Sequence, residues 1–279
     1  MTNIEQSSYS FKFARWSIAG LALSLGISKA GLSVFSALLL LAFISVWALN
    51  RNQFSFSAVS KIHKILFGMF VLGIACSMLS IGGLESTKSF ASKGSFFLVL
   101  SMSLFFLQFK TVRTSALYSL LFGGVVACSY ALYLWVQMRA VGVSVRVDSF
   151  WDYGRWGEFL CYFLMLLTPV LFSVEIKKHK ALFLGCYVLA FVALLISGMR
   201  GPLLAAISVT GLYFVLFNRR FLVPFLLLFV AMLGVIYVVA PSIIEFFISR
   251  FLSIFDFTNF SNLARFHMWF YALDFFTTI

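Results

Sequence analysis

Long apolar runs separated by short polar segments dominate the chain from about residue 13 to residue 240. Most of them approach the ~20 residues that a helix needs to cross a hydrocarbon core about 30 Å thick. In lipid the backbone must satisfy its hydrogen bonds internally, and the runs are too long for barrel strands, so each predicts a transmembrane helix. We predict about nine spans, at residues 13–27, 31–49, 65–81, 94–109, 114–136, 157–174, 181–196, 203–217 and 221–240.

The pattern changes after residue 240, where the chain is less apolar but still aromatic. Ser261 or Asn262 can cap the start of a helix. Apolar residues then recur at helical spacing along one face, at Leu263, Phe266, Phe270 and Leu273. The predicted fold is therefore an all-α integral membrane protein, with about nine transmembrane helices followed by an amphipathic interfacial helix.

Composition narrows the class of protein. Of the 279 residues, 62% are hydrophobic and 11% charged, which excludes a soluble domain. The net charge of +12 comes from short basic clusters between apolar runs, so we expect no nucleic-acid partner. All four cysteines lie inside apolar runs, without a C-x-x-C pair or a histidine at metal-ligand spacing, so we expect no disulfide, metal or cofactor.

Charge also predicts orientation, because Lys and Arg stay preferentially on the cytoplasmic side. With the N-terminus in the cytoplasm, twelve of the 21 basic residues fall on the inner side, in dense clusters close to span ends. Arginines on the outer side run against this tendency, so we expect some of them to be functional. They are Arg139, Arg146, Arg155, Arg200, Arg250 and Arg265.

Arg200 stands alone between two charge-free apolar runs, 181–196 and 203–217. Gly201 can loosen a turn there, and Pro202 suits the first position of the next helix because that position needs no N–H. A helix N-terminus beside a guanidinium is a site for an anion, above all a phosphate. The alternative is an arginine that only snorkels to the membrane interface and binds nothing.

Two motifs together carry a resemblance to a known family. Ser197-Gly-Met-Arg200-Gly201 opens one span, and Arg265, Trp269 and Ala272-Leu273 follow the next. From about Arg146 onward the chain resembles the O-antigen ligase and O-antigen polymerase superfamily of bacterial envelope proteins. The resemblance implies a multi-pass bundle in the inner membrane, residues 1–240, and the start of a large periplasmic region, residues 241–279. The family's histidine lies further along that region, so we expect the chain either to be truncated or to lack part of the family's machinery.

The resemblance also implies an activity at the periplasmic face. Such proteins transfer a glycan from an undecaprenyl diphosphate carrier to lipid A–core (ligases) or to a second lipid-linked glycan (polymerases). The two arginines of the family correspond to Arg200 and Arg265. We expect both, with Arg155, to bind the diphosphate and to stabilise its leaving charge without a metal. His267 is too early to be the family's histidine, but it is a candidate for a weak base.

Ligase is the first interpretation, and polymerase the alternative within the same superfamily. A flippase or transporter would use charges buried within its spans, and these spans hold almost none. A membrane subunit without catalytic activity is the remaining alternative.

Overall fold

The computed structural model describes residues 9–49, 61–80, 82–141, 147–173, 179–239 and 260–278, with isolated positions between 241 and 252. All regular structure in these ranges is helical, which confirms the all-α class. The helices are α1 Tyr9–Ile27, α2 Lys29–Leu49, α3 Lys61–Met78, α4 Gly83–Gly94, α5 Phe96–Leu107, α6 Lys110–Ala140, α7 Tyr153–Leu171, α8 Lys180–Ser197, α9 Arg200–Phe217, α10 Leu222–Val239 and α11 Phe260–Thr278.

Six stretches in the described part of the chain are long and apolar enough to cross a membrane. They are Lys29–Leu49, Lys61–Met78, Gly83–Leu107, Lys110–Ala140, Lys180–Ser197 and Arg200–Phe217. The chain is therefore a multi-pass membrane protein by length and composition. Three further predicted spans coincide with α1, α7 and α10, which are not among the six, so a total of nine stays a prediction.

The predicted spans 65–81 and 94–109 leave residues 82–93 as a connecting loop, and this expectation is wrong, because the segment forms helix α4. Its polar residues indicated a loop, but it contains no proline, and Phe90 packs against α3 with its ring 6.2 Å from that of Phe70. Ser95 keeps helical dihedral angles (φ −54°, ψ −23°), so α4 continues almost directly into α5. The fourth apolar helical stretch thus begins well before residue 94.

The chain divides into two compact units, Met1–Val126 and Ala127–Ile279. In the first unit, α1 and α2 form an antiparallel hairpin joined at Ser28, and α3 pairs with α4 and α5. The core is rich in aromatic residues: Phe11 packs edge-on against Phe106, which in turn meets Phe43. A hydrogen bond of 3.0 Å between His63 Nδ1 and Ser101 Oγ links α3 to α5.

The second unit is organised by α7, α8 and α9. Helices α7 and α9 run parallel, since Gly157 lies against Pro202 near one end and the rings of Phe172 and Phe214 are 5.2 Å apart near the other. Helix α8 returns the chain between them. The N-terminal ends of α7 and α9 therefore lie at the same end of this unit, together with the C-terminal end of α8.

The segment before α7 packs against α6 rather than forming only an exposed loop. Ser149 Oγ donates to the carbonyl oxygen of Ala127 at 2.8 Å, and the ring of Phe150 stacks on Tyr130 at 4.8 Å. Helix α6 ends at Ala140, 13 residues after Ala127. At 1.5 Å per residue, Ser149 therefore lies about 20 Å back along that helix from its end. This return positions the start of α7.

The helix predicted near the C-terminus is present as α11, and it begins at Phe260. Its apolar side chains are exposed and are not confined to the predicted stripe. Leu263 and Phe270 belong to that stripe, whereas Met268, Tyr271 and Phe275 project from other sides of the helix. Helix α11 is therefore only weakly amphipathic.

Candidate functional site

The chain reverses between α8 and α9 within two residues. Gly198 adopts the left-handed conformation (φ 63°, ψ 20°), which its missing Cβ permits, and its N–H donates to the carbonyl oxygen of Leu195 at 3.1 Å. Met199 is extended, and α9 begins at Arg200. The reversal is so tight that Arg200 is the first residue of the new helix.

The buried hydroxyl of Ser197 holds this turn from inside. Its Oγ donates to the carbonyl oxygen of Leu194 at 2.7 Å and accepts a longer bond of 3.4 Å from the N–H of Met199. Ser197 is fully buried. These bonds fix the path of the chain into α9.

The turn differs from the sequence prediction in one respect. Gly201 and Pro202 were expected to form the turn and to open the helix, but Gly198 makes the turn and the helix starts two residues before Pro202. Pro202 is tolerated at the third helical position because N–H groups of the first turn have no acceptor within the helix. Arg200 thus belongs to the helix end itself.

The N-terminus of α9 has no side-chain cap. The cap residue, Met199, makes no capping hydrogen bond, and the first helical bond joins the N–H of Leu203 to the carbonyl oxygen of Met199 at 3.3 Å. The N–H of Gly201 therefore has no acceptor within the helix. A Cβ placed at Gly201 would meet nothing within 4 Å, so there is free space beside the first turn of the helix. Arg200 is partly buried beside it.

Helix α7 meets this turn through Gly157. A Cβ at Gly157 would lie 2.8 Å from Cβ and Cγ of Met199 and 3.1 Å from Cγ of Pro202, so only hydrogen fits there. Because Gly157 is in the second turn of α7, the N-terminal turn of α7 lies beside that of α9. Two helix N-termini, each with partial positive charge, are thereby brought together.

Arg155 lies in that first turn of α7 and is paired locally. The carboxylate of Asp152 caps α7, with Oδ1 accepting the N–H of Arg155 at 3.2 Å and Oδ2 3.6 Å from its Nε. The side chains are 61% and 55% exposed, so the ion pair contributes little to stability. The Arg155 guanidinium can exchange this partner for an incoming anion at low cost.

Trp156, the next residue, is fully buried and stacks on Phe159 with ring centroids 5.7 Å apart. Its Nε1 has no hydrogen-bond partner. Every other buried side-chain nitrogen or oxygen in the described part of the chain has one. A buried donor without an acceptor is costly and uncommon in folded proteins.

The structure brings two of the predicted site residues, Arg200 and Arg155, to the same end of the second unit. Arg265 lies in α11, but its side chain is outside the described residues, so its meeting with Arg200 stays a prediction. His267 is exposed on α11, with its ring 6.5 Å from that of Tyr271. Arg146 and Arg250 are outside the described residues.

Metal ligands do not gather in the residues that the structure describes: no group of three or more His, Cys, Asp or Glu side chains could hold an ion there. The cations of the candidate site are instead Arg200, Arg155 and the two helix N-termini. These groups can bind an oxyanion at the N-terminus of α9.

Sequence reasoning missed Trp156 and Gly157. The role of Gly157 depends on Met199, 42 positions later in the chain, and nothing local to Gly157 indicates that contact. Trp156 carries a weak signal, since it follows an arginine at the start of a helix, but its unpaired nitrogen is visible only in three dimensions.

Comparison with known proteins gives no relative for the chain: no family model, no curated protein and no solved structure matches it. The resemblance described above therefore rests on the two arginine motifs themselves.

Proposed function

We propose that this protein transfers a glycan from undecaprenyl diphosphate to an acceptor sugar at the periplasmic face of the bacterial inner membrane, as O-antigen ligases do with lipid A–core. The observation that supports this most is the uncapped N-terminus of α9, with Arg200 as its first residue, packed beside the N-terminus of α7. Such a site suits the diphosphate of a lipid carrier.

The reaction needs charge stabilisation above all. An acceptor hydroxyl oxygen attacks the anomeric carbon, the bond from that carbon to the diphosphate oxygen breaks, and the diphosphate leaves with the electron pair. Arg200 and the N–H groups of α9 neutralise that developing charge, with Arg155 and Arg265 as further cations. The hydroxyl proton passes to a base, for which exposed His267 is the candidate.

The proposed orientation puts the N-terminus in the cytoplasm and nine spans in the membrane. The α8–α9 turn then faces the periplasm, and α11 lies at the same surface. The alternation agrees with the packing within each unit. Helices α7 and α9, two spans apart, run parallel, as do α1 and α6, where Arg15 pairs with Ser115 and Leu23 lies against Gly123.

A polymerase, which would use a second lipid-linked glycan as acceptor, shares the same site and is the alternative. A flippase or transporter is less well supported, because coupling uses titratable groups inside the membrane. Among the buried polar residues of the described ranges, His63 alone is titratable; the others are Ser17, Ser24, Ser103, Thr168, Ser197 and Thr210.

The test is complementation of a deletion strain of the source bacterium, read as its surface glycan profile. Arg200→Ala should lower transfer by about 10²- to 10³-fold, the usual effect of removing a charge-stabilising donor. Arg200→Lys should restore only part of it, since lysine keeps the charge but loses the planar fork. Arg265→Ala should lower transfer to a similar extent.

The matched control is Lys29→Ala, the cation that begins α2 after an equally tight turn; it should leave the profile normal. Loss of attachment to lipid A–core identifies a ligase, loss of long chains a polymerase, and trapped carrier lipid on the cytoplasmic side a flippase. Normal glycans in both the Arg200→Ala and Arg265→Ala strains, with normal protein levels in the membrane, would rule out the proposed mechanism.

A further inference from the structure

Three helices of the first unit begin at the same end. Arg15 Nε on α1 donates to Ser115 Oγ on α6 at 2.6 Å, so the starts of these two parallel helices lie side by side. His63, the third residue of α3, bonds to Ser101, which lies about 9 Å before the end of α5. Helix α6 begins only three residues after α5 ends. The N-terminal ends of α1, α3 and α6 therefore lie at one end of the unit.

Each of these helix starts carries two cations three residues apart, and we call the six together the basic end. All six side chains are exposed: Lys12 and Arg15 on α1, Lys61 and Lys64 on α3, and Lys110 and Arg113 on α6. None of the three helices has an acidic residue in its first turn. Among the described residues of this unit Glu85 alone is acidic, and it begins α4 at the opposite end. Cations near a helix N-terminus are repelled by its partial positive charge, and no described carboxylate of the unit balances them.

Exposed aromatic side chains accompany the cations of α1. Tyr9 is 91% exposed and Trp16 is 75% exposed. Lys12 Nζ lies over the Tyr9 ring, 5.7 Å from its centroid. Tyrosine and tryptophan are enriched where the hydrocarbon of a membrane meets its headgroups, and lysine side chains extend toward those headgroups. The basic end therefore lies at the level of the lipid phosphates.

Arg15 is the cation whose position the fold fixes. Ser115 Oγ accepts the Arg15 Nε–H and itself donates to the carbonyl oxygen of Thr111 at 3.0 Å, which holds the guanidinium at the seam between α1 and α6. That bond uses one of the five N–H donors of an arginine. Lys12, one turn nearer the helix start, lies on the same side of α1. A guanidinium fork and a neighbouring ammonium suit the oxygens of a phosphodiester.

We propose that an anionic phospholipid binds at the seam of α1 and α6, with its phosphodiester on Arg15 and Lys12. The cations of α3 and the other cations of α6 attract the same lipid over a longer range. A zwitterionic lipid has the same phosphate but brings its own cation against the basic end, so the site selects a headgroup with net negative charge. This inference concerns the first unit and is independent of the proposed glycan transfer, which uses residues of the second.

The experiment uses the full chain in detergent, with dioleoyl phosphatidylglycerol as the probe. Dioleoyl phosphatidylcholine has the same acyl chains and phosphate without net charge, and inorganic phosphate is the anion without a lipid. Native mass spectrometry gives the fraction of protein with bound lipid, and thermal unfolding gives the stabilisation. Arg15→Gln removes the oriented cation, and Arg15→Lys keeps its charge. The matched control is Lys88→Gln, which removes an exposed cation of α4 near the opposite end.

Phosphatidylglycerol should bind and raise the unfolding temperature, whereas phosphatidylcholine and inorganic phosphate should have little effect. Arg15→Gln should weaken the binding of phosphatidylglycerol by about five- to tenfold, the usual contribution of one basic residue to the attraction of an anionic lipid. Arg15→Lys should recover only part of the affinity, because the charge remains but the bond from Nε to Ser115 is lost. Lys88→Gln should bind phosphatidylglycerol as the unsubstituted protein does.

Three results overturn the inference. Equal binding of the two lipids by the unsubstituted protein means that net charge is not recognised, and this comparison does not depend on the folding of any variant. Equal affinities in Arg15→Gln and Lys88→Gln mean that attraction is spread over the surface, without a site at the seam. Equal stabilisation by inorganic phosphate means that a free anion, and not a lipid, is the ligand.

Discussion

Two tight reversals of the chain are built alike but differ in the cap of the helix that follows. The α1–α2 reversal at Ser28 and the α8–α9 reversal at Gly198 both join apolar helices, and a cation, Lys29 or Arg200, begins the helix that follows. Ser28 Oγ accepts the N–H of Gly31 at 3.0 Å, whereas the cap residue of α9 offers no acceptor. The start of α2 is therefore capped by a side chain of the protein, whereas the start of α9 has no side-chain cap.

The difference is informative because a cap is easily obtained. A Ser, Thr, Asp or Asn at the cap position stabilises a helix by about 0.5–2 kcal/mol relative to alanine. Helix α7, beside the open end, has such a cap in Asp152. The cap residues of α4, α5 and α8 also make no side-chain capping hydrogen bond, so the start of α9 is set apart by Arg200 at its first position and by the neighbouring N-terminal turn of α7.

Among the changes that test this comparison, we expect the largest effect from capping the start of α9. Met199→Asp would place a carboxylate on the N–H groups of α9, while its Cβ and Cγ preserve the contact with Gly157. We expect the unfolding temperature to rise and glycan transfer to fall at least about tenfold, because the carboxylate occupies the donors and repels a diphosphate. The two quantities are measured by thermal unfolding in detergent and by the surface glycan profile.

The matched variant in the other reversal is Ser28→Met, which removes the cap of α2. It should cost about 1 kcal/mol of stability and leave transfer per folded molecule unchanged. If Met199→Asp transferred glycan normally, the open end of α9 would have no part in the reaction and the contrast between the two reversals would be accidental.

The second prediction concerns the contact that brings the two N-termini together. Gly157→Ala would push α7 away from Met199 and Pro202, at a cost of about 1–3 kcal/mol for overpacking, and transfer should fall with it. Gly211→Ala on α9 is the control, because a Cβ there meets nothing within 4 Å and the helix gains up to about 1 kcal/mol. Equal unfolding temperatures for the two variants would show that the close approach of α7 to the turn is not needed.

The positions of most helices were predictable because lipid imposes one rule on every span. Apolar runs at helical length gave α2, α8 and α10 to within a few residues. The same rule failed for α4, since polar side chains at residues 83–94 are compatible with a helix that packs against α3 through Phe90. Local pattern cannot distinguish that helix from a loop.

The candidate site was predictable only in its charged part. Arg200 and Arg155 are conspicuous because they interrupt apolar sequence, and the anion preference of a helix start follows from backbone geometry. The turn residue was assigned to Gly201 instead of Gly198, because both glycines flank the arginine and only the dihedral angles separate them. The role of Gly157 depends on a neighbour far along the chain, and that of Trp156 on its burial without a hydrogen-bond partner; no local pattern contains either.

The smallest expected effect lies deeper in the second unit. Thr168 and Thr210 place their Oγ1 atoms 3.5 Å apart between α7 and α9, and Thr168 also donates to the carbonyl oxygen of Leu164 at 2.9 Å. Thr210→Val should therefore cost only about 0.6 kcal/mol, the average for a hydrogen bond between membrane helices, and leave transfer normal. Thr114→Val, at an exposed threonine of α6, is the control and should change neither quantity.

The Thr210→Val variant tests whether the functional residues lie at the α8–α9 turn or within the helix bundle. A binding site at the helix end needs α7 and α9 only as a rigid support, so loss of one weak buried bond should be tolerated. If Thr210→Val abolished glycan display while the unfolding temperature stayed normal, the working residues would lie within the bundle. A pathway through the helices would then be favoured over chemistry at the turn, because substrates and ions in transporters pass between such buried polar groups.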